Sequence, residues 1–286
     1  MLYRESICAI AQAAALLTTL SGAQAFDDAK YPNLKGQWDR FPIPVPGQPS
    51  FDQTKGWGRL QEAPLIPEYQ KILEDSLADQ EAGGHGNNVD HAKCGVSGMP
   101  WMMVAFRPIE FVLTPEVSYV LIADYDALRR IFTDERDWPK HIEPTYQGYS
   151  IGKWIDTDGD GKYDVLEVET RGFKGPRVMD GTGLPLHRDN QSVIRERIFL
   201  DKTDHTVVHD EITVIDNALT RPWTVDKRYV RNPDPLSDWP EMNCHEYNAQ
   251  IFIGNENYYL SADGHLMPAR KGQKPPDLKY FNQSGK

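Results

Sequence analysis

Beyond residue 108 the chain is written in short alternating runs. Apolar and polar residues trade places at every second position, the period of a strand with one buried face. Such runs occupy 109–114, 118–124, 128–132, 149–155, 164–170, 192–200, 206–215, 223–230, 249–253 and 257–260. Pro115-Glu116, the stretch Asp201 to Asp204, and Gly254-Asn255 supply turn residues between neighbouring runs. Many short antiparallel strands predict a mainly β protein, either an antiparallel barrel or a strongly curved sandwich. One helix precedes them. It begins at Pro67, aligns Ile66, Tyr69, Ile72, Leu73 and Leu77 on one face, and stops before Gly83-Gly84. Residues 26–66, rich in proline, glycine and aromatics, predict an extended N-terminal arm that lies over the domain instead of joining its core. Residues 67–286 then form a single β-rich domain led by the helix 67–82.

Three of the strand patterns carry a charge among apolar neighbours. Glu196 shares a face with Ile194, Ile198 and Leu200, Lys227 with Trp223, Val225 and Tyr229, and Arg130 with Leu128 and Phe132. A buried charge is costly unless it is paired, so these three are expected to meet one another or a polar ligand. A carboxylate flanked by two cations would suit an acid–base site at a barrel mouth, with Glu196 moving the proton and Arg130 and Lys227 stabilising negative charge. Structural ion pairs are the plainer alternative. His187, in the loop after 164–170, is a further candidate for catalysis.

The most specific chemical signal is the run Asp156-Thr-Asp-Gly-Asp-Gly-Lys-Tyr-Asp-Val-Leu-Glu167. Asp156, Asp158, Asp160, the Lys162 carbonyl, Asp164 and Glu167 have the spacing of a calcium loop, with a glycine at its sixth position. Both flanks read as strands, so the loop is expected at the tip of a β-hairpin and its ion is expected to be structural. A solvated acidic turn is the alternative.

Composition narrows the setting. Residues 1–25 have the apolar stretch and the Ala23-Gln24-Ala25 ending of a secretory signal peptide, which predicts a periplasmic or secreted protein. No run is long enough for a membrane-spanning helix. The net charge of −11 disfavours nucleic acid as a partner. Of three cysteines, Cys8 falls in the leader, leaving Cys94 and Cys244 as a predicted disulfide or two buried thiols. The segment Gly148-Tyr-Ser150-Ile-Gly152 matches a nucleophile-elbow pattern but lacks the helix that must follow it. His205 and His209 are four apart, a zinc spacing on a helix and not on a strand.

Four segments taken in order carry a resemblance: Arg129-Arg-Ile-Phe-Thr-Asp-Glu-Arg136, Glu143-Pro-Thr-Tyr-Gln-Gly-Tyr-Ser-Ile-Gly-Lys-Trp154, Glu196-Arg197 and Thr220-Arg-Pro-Trp-Thr224. Together they resemble a large group of exported bacterial proteins, most without an assigned activity, over residues 94–244. The resemblance implies a short hairpin turn after Trp154, where this chain has its aspartate-rich loop instead. It implies no catalytic residue.

Three functional classes remain open. One is an acid–base lyase, isomerase or hydrolase without an organic cofactor, acting on a small apolar or aromatic molecule. Another is a lipocalin-like carrier of such a ligand. The third is an extracytoplasmic interaction protein that uses the aromatic arm.

Overall fold

The computed structural model describes residues 26–41, 50–87, 98–124, 127–240, 250–253, 256–261 and 263–274. The leader, Cys94 and Cys244 lie outside the described residues. Nine strands close a barrel in sequence order: β1 (Gln37–Arg40), β2 (Ile109–Leu113), β3 (Val117–Ile122), β4 (Ala127–Phe132), β5 (Tyr149–Ile155), β6 (Val165–Arg171), β7 (Val193–Leu200), β8 (Val207–Ile215) and β9 (Trp223–Arg231). The barrel and not the sandwich is therefore the architecture. Its neighbours pair antiparallel except β4 and β5, which run parallel through Ile131↔Ser150 and Phe132↔Ile151. Three further strands, β10 (Gln250–Ile253), β11 (Glu256–Leu260) and β12 (Leu266–Pro268), form a separate small sheet.

The helix α1 (Pro67–Glu81) has proline in its first turn and buries Tyr69, Leu73, Ser76 and Leu77. Proline is tolerated there because the first backbone N–H groups have no partner within the helix.

The arm differs from its sequence expectation. It does not merely lie over the domain: β1 sits between β2 and β9 and completes the closure. Trp38, Leu34 and Phe51 belong to the core, and Trp38 Nε1 donates to the Leu34 carbonyl at 2.9 Å. The strand was hidden because Gln37-Trp-Asp-Arg40 is too short for alternation to register. Its pairing is tertiary, with partners about 70 and 190 residues further along the chain.

Alternation elsewhere fixes what points inward. Val120 and Ile122, Leu166 and Val168, Ile194 and Ile198, and Val208, Ile212 and Val214 are all buried. Gly152 is the narrow point of the parallel seam: a Cβ there would stand 2.6 Å from Ile131 Cγ2. Glycine permits the close approach of β5 to β4 that closes the barrel.

Candidate functional site

Glu196 is buried on β7 as its alternation predicts. Its partner is Arg129, not Arg130. On β4 the inward residues are Arg129 and Ile131, while Leu128 and Arg130 are exposed. The pattern of 127–132 has apolar residues on both parities, and Leu128 with Phe132 outweighs Ala127 with Ile131 by size. The outward Phe132 is accommodated at the surface by aromatic and cationic neighbours. Tyr149 stacks on it at 5.0 Å, and the guanidinium of Arg136 lies 3.8 Å from its ring centre.

Arg129 donates to both carboxylate oxygens of Glu196, Nη1 at 2.7 Å to Oε1 and Nη2 at 2.5 Å to Oε2. Nη2 also reaches Thr170 Oγ1 at 3.0 Å, and Thr170 shares a 2.8 Å hydrogen bond with Ser150. Burial opposes the charge on Arg129, but Glu196 outweighs it and holds the guanidinium above its ordinary pKa. Ser150 is thus a buried member of this network on a strand, the wrong setting for a nucleophile elbow.

Lys227 is inward on β9 and fully buried, as predicted, yet it does not join Glu196. Its ammonium donates to the carbonyls of Phe51 at 2.6 Å and Ser50 at 3.2 Å. Burial pushes its pKa down to about 8. Directly across the ladder stands Asp210 on β8. Asp210 is fully buried, and neither of its oxygens has a hydrogen-bond partner among the described residues. Burial raises its pKa well above the ordinary carboxylate value, and the nearby Glu196 charge adds to the effect. Sequence reasoning missed Asp210, although the rule that found Glu196 applies: it shares parity with Val208, Ile212 and Val214. Tyr229 completes the interior, with its hydroxyl donating to the Met103 carbonyl.

His187 stands apart from these groups. Its ring lies 5.0 Å from Tyr69, its Nδ1 is 2.9 Å from Asp189, and its backbone N–H donates to Asp216. His209 sits on β8 between Asp226 at 3.0 Å and Asp201 at 3.3 Å and stacks on Phe199. Both histidines are held by carboxylates.

The acidic run forms the β5–β6 turn, on a hairpin as predicted. Oxygens of Asp156, Asp158 and Asp164 come within 4.8 Å of one another. Asp156 accepts the amides of Gly159 and Gly161, whose positive φ angles suit glycine. The donor set fits a hard cation through these three carboxylates. The other expected ligands are placed differently. Asp160 accepts the Lys162 amide and falls outside the group of three carboxylates. Glu167 is already in β6, opposite Lys153 and Arg197 and 3.7 Å from the Arg197 guanidinium. Strand rise places it about 10 Å along the chain from Asp164. A helix would carry that position back toward the ion, whereas an extended strand does not.

A cleft of about 920 Å³ opens beside this turn. Tyr31, Tyr163, Phe199 and Leu200 give it an apolar lining; Lys162, Lys202 and Arg231 add cationic groups, His205 stands among them, and Asp158, Asp160, Asp164 and Asp201 line the same space. The Tyr163 amide donates to the Lys30 carbonyl at 2.7 Å, and Tyr31 packs on Trp154 and Tyr163. The arm is thereby tied to the acidic turn. A scan against protein-family models gives no match to this chain, and a search of curated proteins gives none.

Proposed function

We propose that the protein is an exported, calcium-stabilised β-barrel that binds a small, partly aromatic molecule in the cleft between the arm, the acidic turn and the β7–β8 turn. One observation carries this reading: the cleft brings an aromatic lining and cationic side chains together next to a cluster of three carboxylates. Calcium on Asp156, Asp158 and Asp164 would cancel carboxylate charge and leave Lys162 and Lys202 to attract an acidic group on the ligand, with the His205 ring as a hydrogen-bond donor beside them. The ligand is held and oriented without chemistry. Glu196, the carboxylate suited by sequence to proton transfer, is closed off from solvent and occupied on both oxygens by Arg129.

The cleft is tested with 2-naphthoate, an aromatic acid of fitting size, followed by quenching of intrinsic fluorescence. Saturable binding is expected, weakened about tenfold when Lys162→Ala and Lys202→Ala remove two rim cations, a loss of roughly 1.4 kcal/mol. Binding that is unsaturable, or equal in the double variant, would count against the cleft.

The ion is tested by melting curves. Calcium at a hundredfold excess over its Kd is expected to add about 2.7 kcal/mol. That corresponds to a Tm rise of roughly 5–10 °C, reversed by chelator. Asp156→Asn should abolish the rise, and Glu167→Gln should leave most of it. Equal losses in the two variants would restore Glu167 to the ion's shell.

A further inference from the structure

The segment Ser50–Gln53 is held against the barrel by two buried ionisable side chains, Asp180 and Lys227. Phe51 is fully buried and its ring meets Trp223 edge-on at 5.0 Å. Its amide donates to Asp180 Oδ2 at 3.0 Å. Its carbonyl and that of Ser50 both accept from the Lys227 ammonium, which lies 5.7 Å from the Phe51 ring centre. Gln53 adds a bond from its side-chain amide to the Arg228 carbonyl at 3.3 Å. Asp180 and Lys227 are themselves fully buried. Asp180 is steadied by the amide and hydroxyl of Thr182.

The barrel therefore offers three things to a peptide unit. A cation takes two successive carbonyls, a carboxylate takes the N–H between them, and an indole faces the aromatic side chain. A buried peptide unit needs hydrogen-bond partners, and here buried ionisable side chains of the barrel wall supply them in place of a neighbouring backbone. A charge pair spaced to read a carbonyl, an amide and a ring in sequence is recognition geometry.

We propose that Lys227, Asp180 and Trp223 form a binding site for an N-acylated aromatic amino acid or peptide, and that Ser50–Phe51 occupies it in cis as a displaceable internal ligand. The site is separate from the cleft beside the acidic turn and does not depend on it. N-acetyl-L-phenylalaninamide reproduces each of the groups held: the acyl carbonyl for Ser50, then the N–H, ring and carbonyl of Phe51.

The test uses the full-length protein and a small amine acetylating reagent. Acetylation of Lys227 is mapped by mass spectrometry across a urea series below the unfolding transition. A displaceable segment exposes Lys227 through a local opening, so the labelling free energy falls with urea far less steeply than that of global unfolding. Millimolar N-acetyl-L-phenylalaninamide is expected to slow this labelling, and N-acetylglycinamide to leave it unchanged. Phe51→Ala is expected to speed local labelling on the order of a hundredfold, since a buried ring is lost. Labelling that follows the global urea slope overturns the proposal. So does local opening on which the two amides act alike. Should Phe51→Ala fail to fold, the wild-type slope and the comparison of the two amides still decide.

Discussion

Arg129→Met is expected to destabilise the protein by about 3–5 kcal/mol, because it leaves Glu196 charged and unpartnered inside the barrel. Arg130→Met, one residue along, is expected to change stability by no more than about 0.5 kcal/mol, as exposed positions usually do. Urea midpoints at neutral pH measure both. The contrast separates the two parities of β4 directly, since side chains on neighbouring strand residues point to opposite faces. The double variant Arg129→Met/Glu196→Met should recover much of the single loss, because two apolar side chains remove the desolvation penalty together with the pair. Equal effects at 129 and 130 would show that β4 is out of register with β3 and that Glu196 has another partner.

Asp210→Asn is expected to stabilise the protein at neutral pH. The native carboxyl keeps its proton above the pH at which an unfolded chain has lost it, because burial and the Glu196 charge oppose ionisation. The sign follows from linkage. Below an unfolded carboxylate pKa of about 4, both states of Asp210 are protonated and there is no penalty. As pH rises, the unfolded state gains by ionising and the native state does not. Wild-type stability therefore falls relative to the variant by up to about 1.4 kcal/mol per pH unit, until the native carboxyl itself ionises. Asparagine has nearly the same shape and never ionises, so its advantage should be near zero at pH 4 and grow through pH 5 and 6. Stability difference measured against pH checks this. An advantage independent of pH would mean that the native and unfolded carboxyls titrate alike, and a loss at neutral pH that Asp210 is an anion with a partner in the native state.

Most of the sheet could be read from period alone. The strands between residues 109 and 260 carry alternation strong enough to place each within a few residues, and Glu196 and Lys227 point inward as that alternation requires. Where the pattern was balanced it misled. Residues 127–132 have a defensible apolar face on either side, and only the carboxylate waiting on β7 decides between Arg129 and Arg130. Pairing between distant segments has no local trace, so neither β1 nor the hold of Lys227 on residues 50 and 51 could be seen in the sequence. The acidic loop shows a third kind of limit. Its spacing matches a calcium loop through Glu167, but in that motif a helix carries the twelfth position back to the ion, and the strand expected and found here takes the residue elsewhere.

The position of β1 has a consequence for the order in which the molecule can be assembled. The first strand made is bracketed by β2 and β9, so one of its two neighbours is the last barrel strand to be synthesised. Until Trp223–Arg231 has emerged, Gln37–Arg40 has a free edge on that side and the cylinder stays a curved, unfinished wall. Completion waits for the two ends of the barrel sequence to find each other, a long-range encounter that is slow by its topology. A nascent chain stalled before β9 would keep two raw borders, each able to stitch onto another such chain.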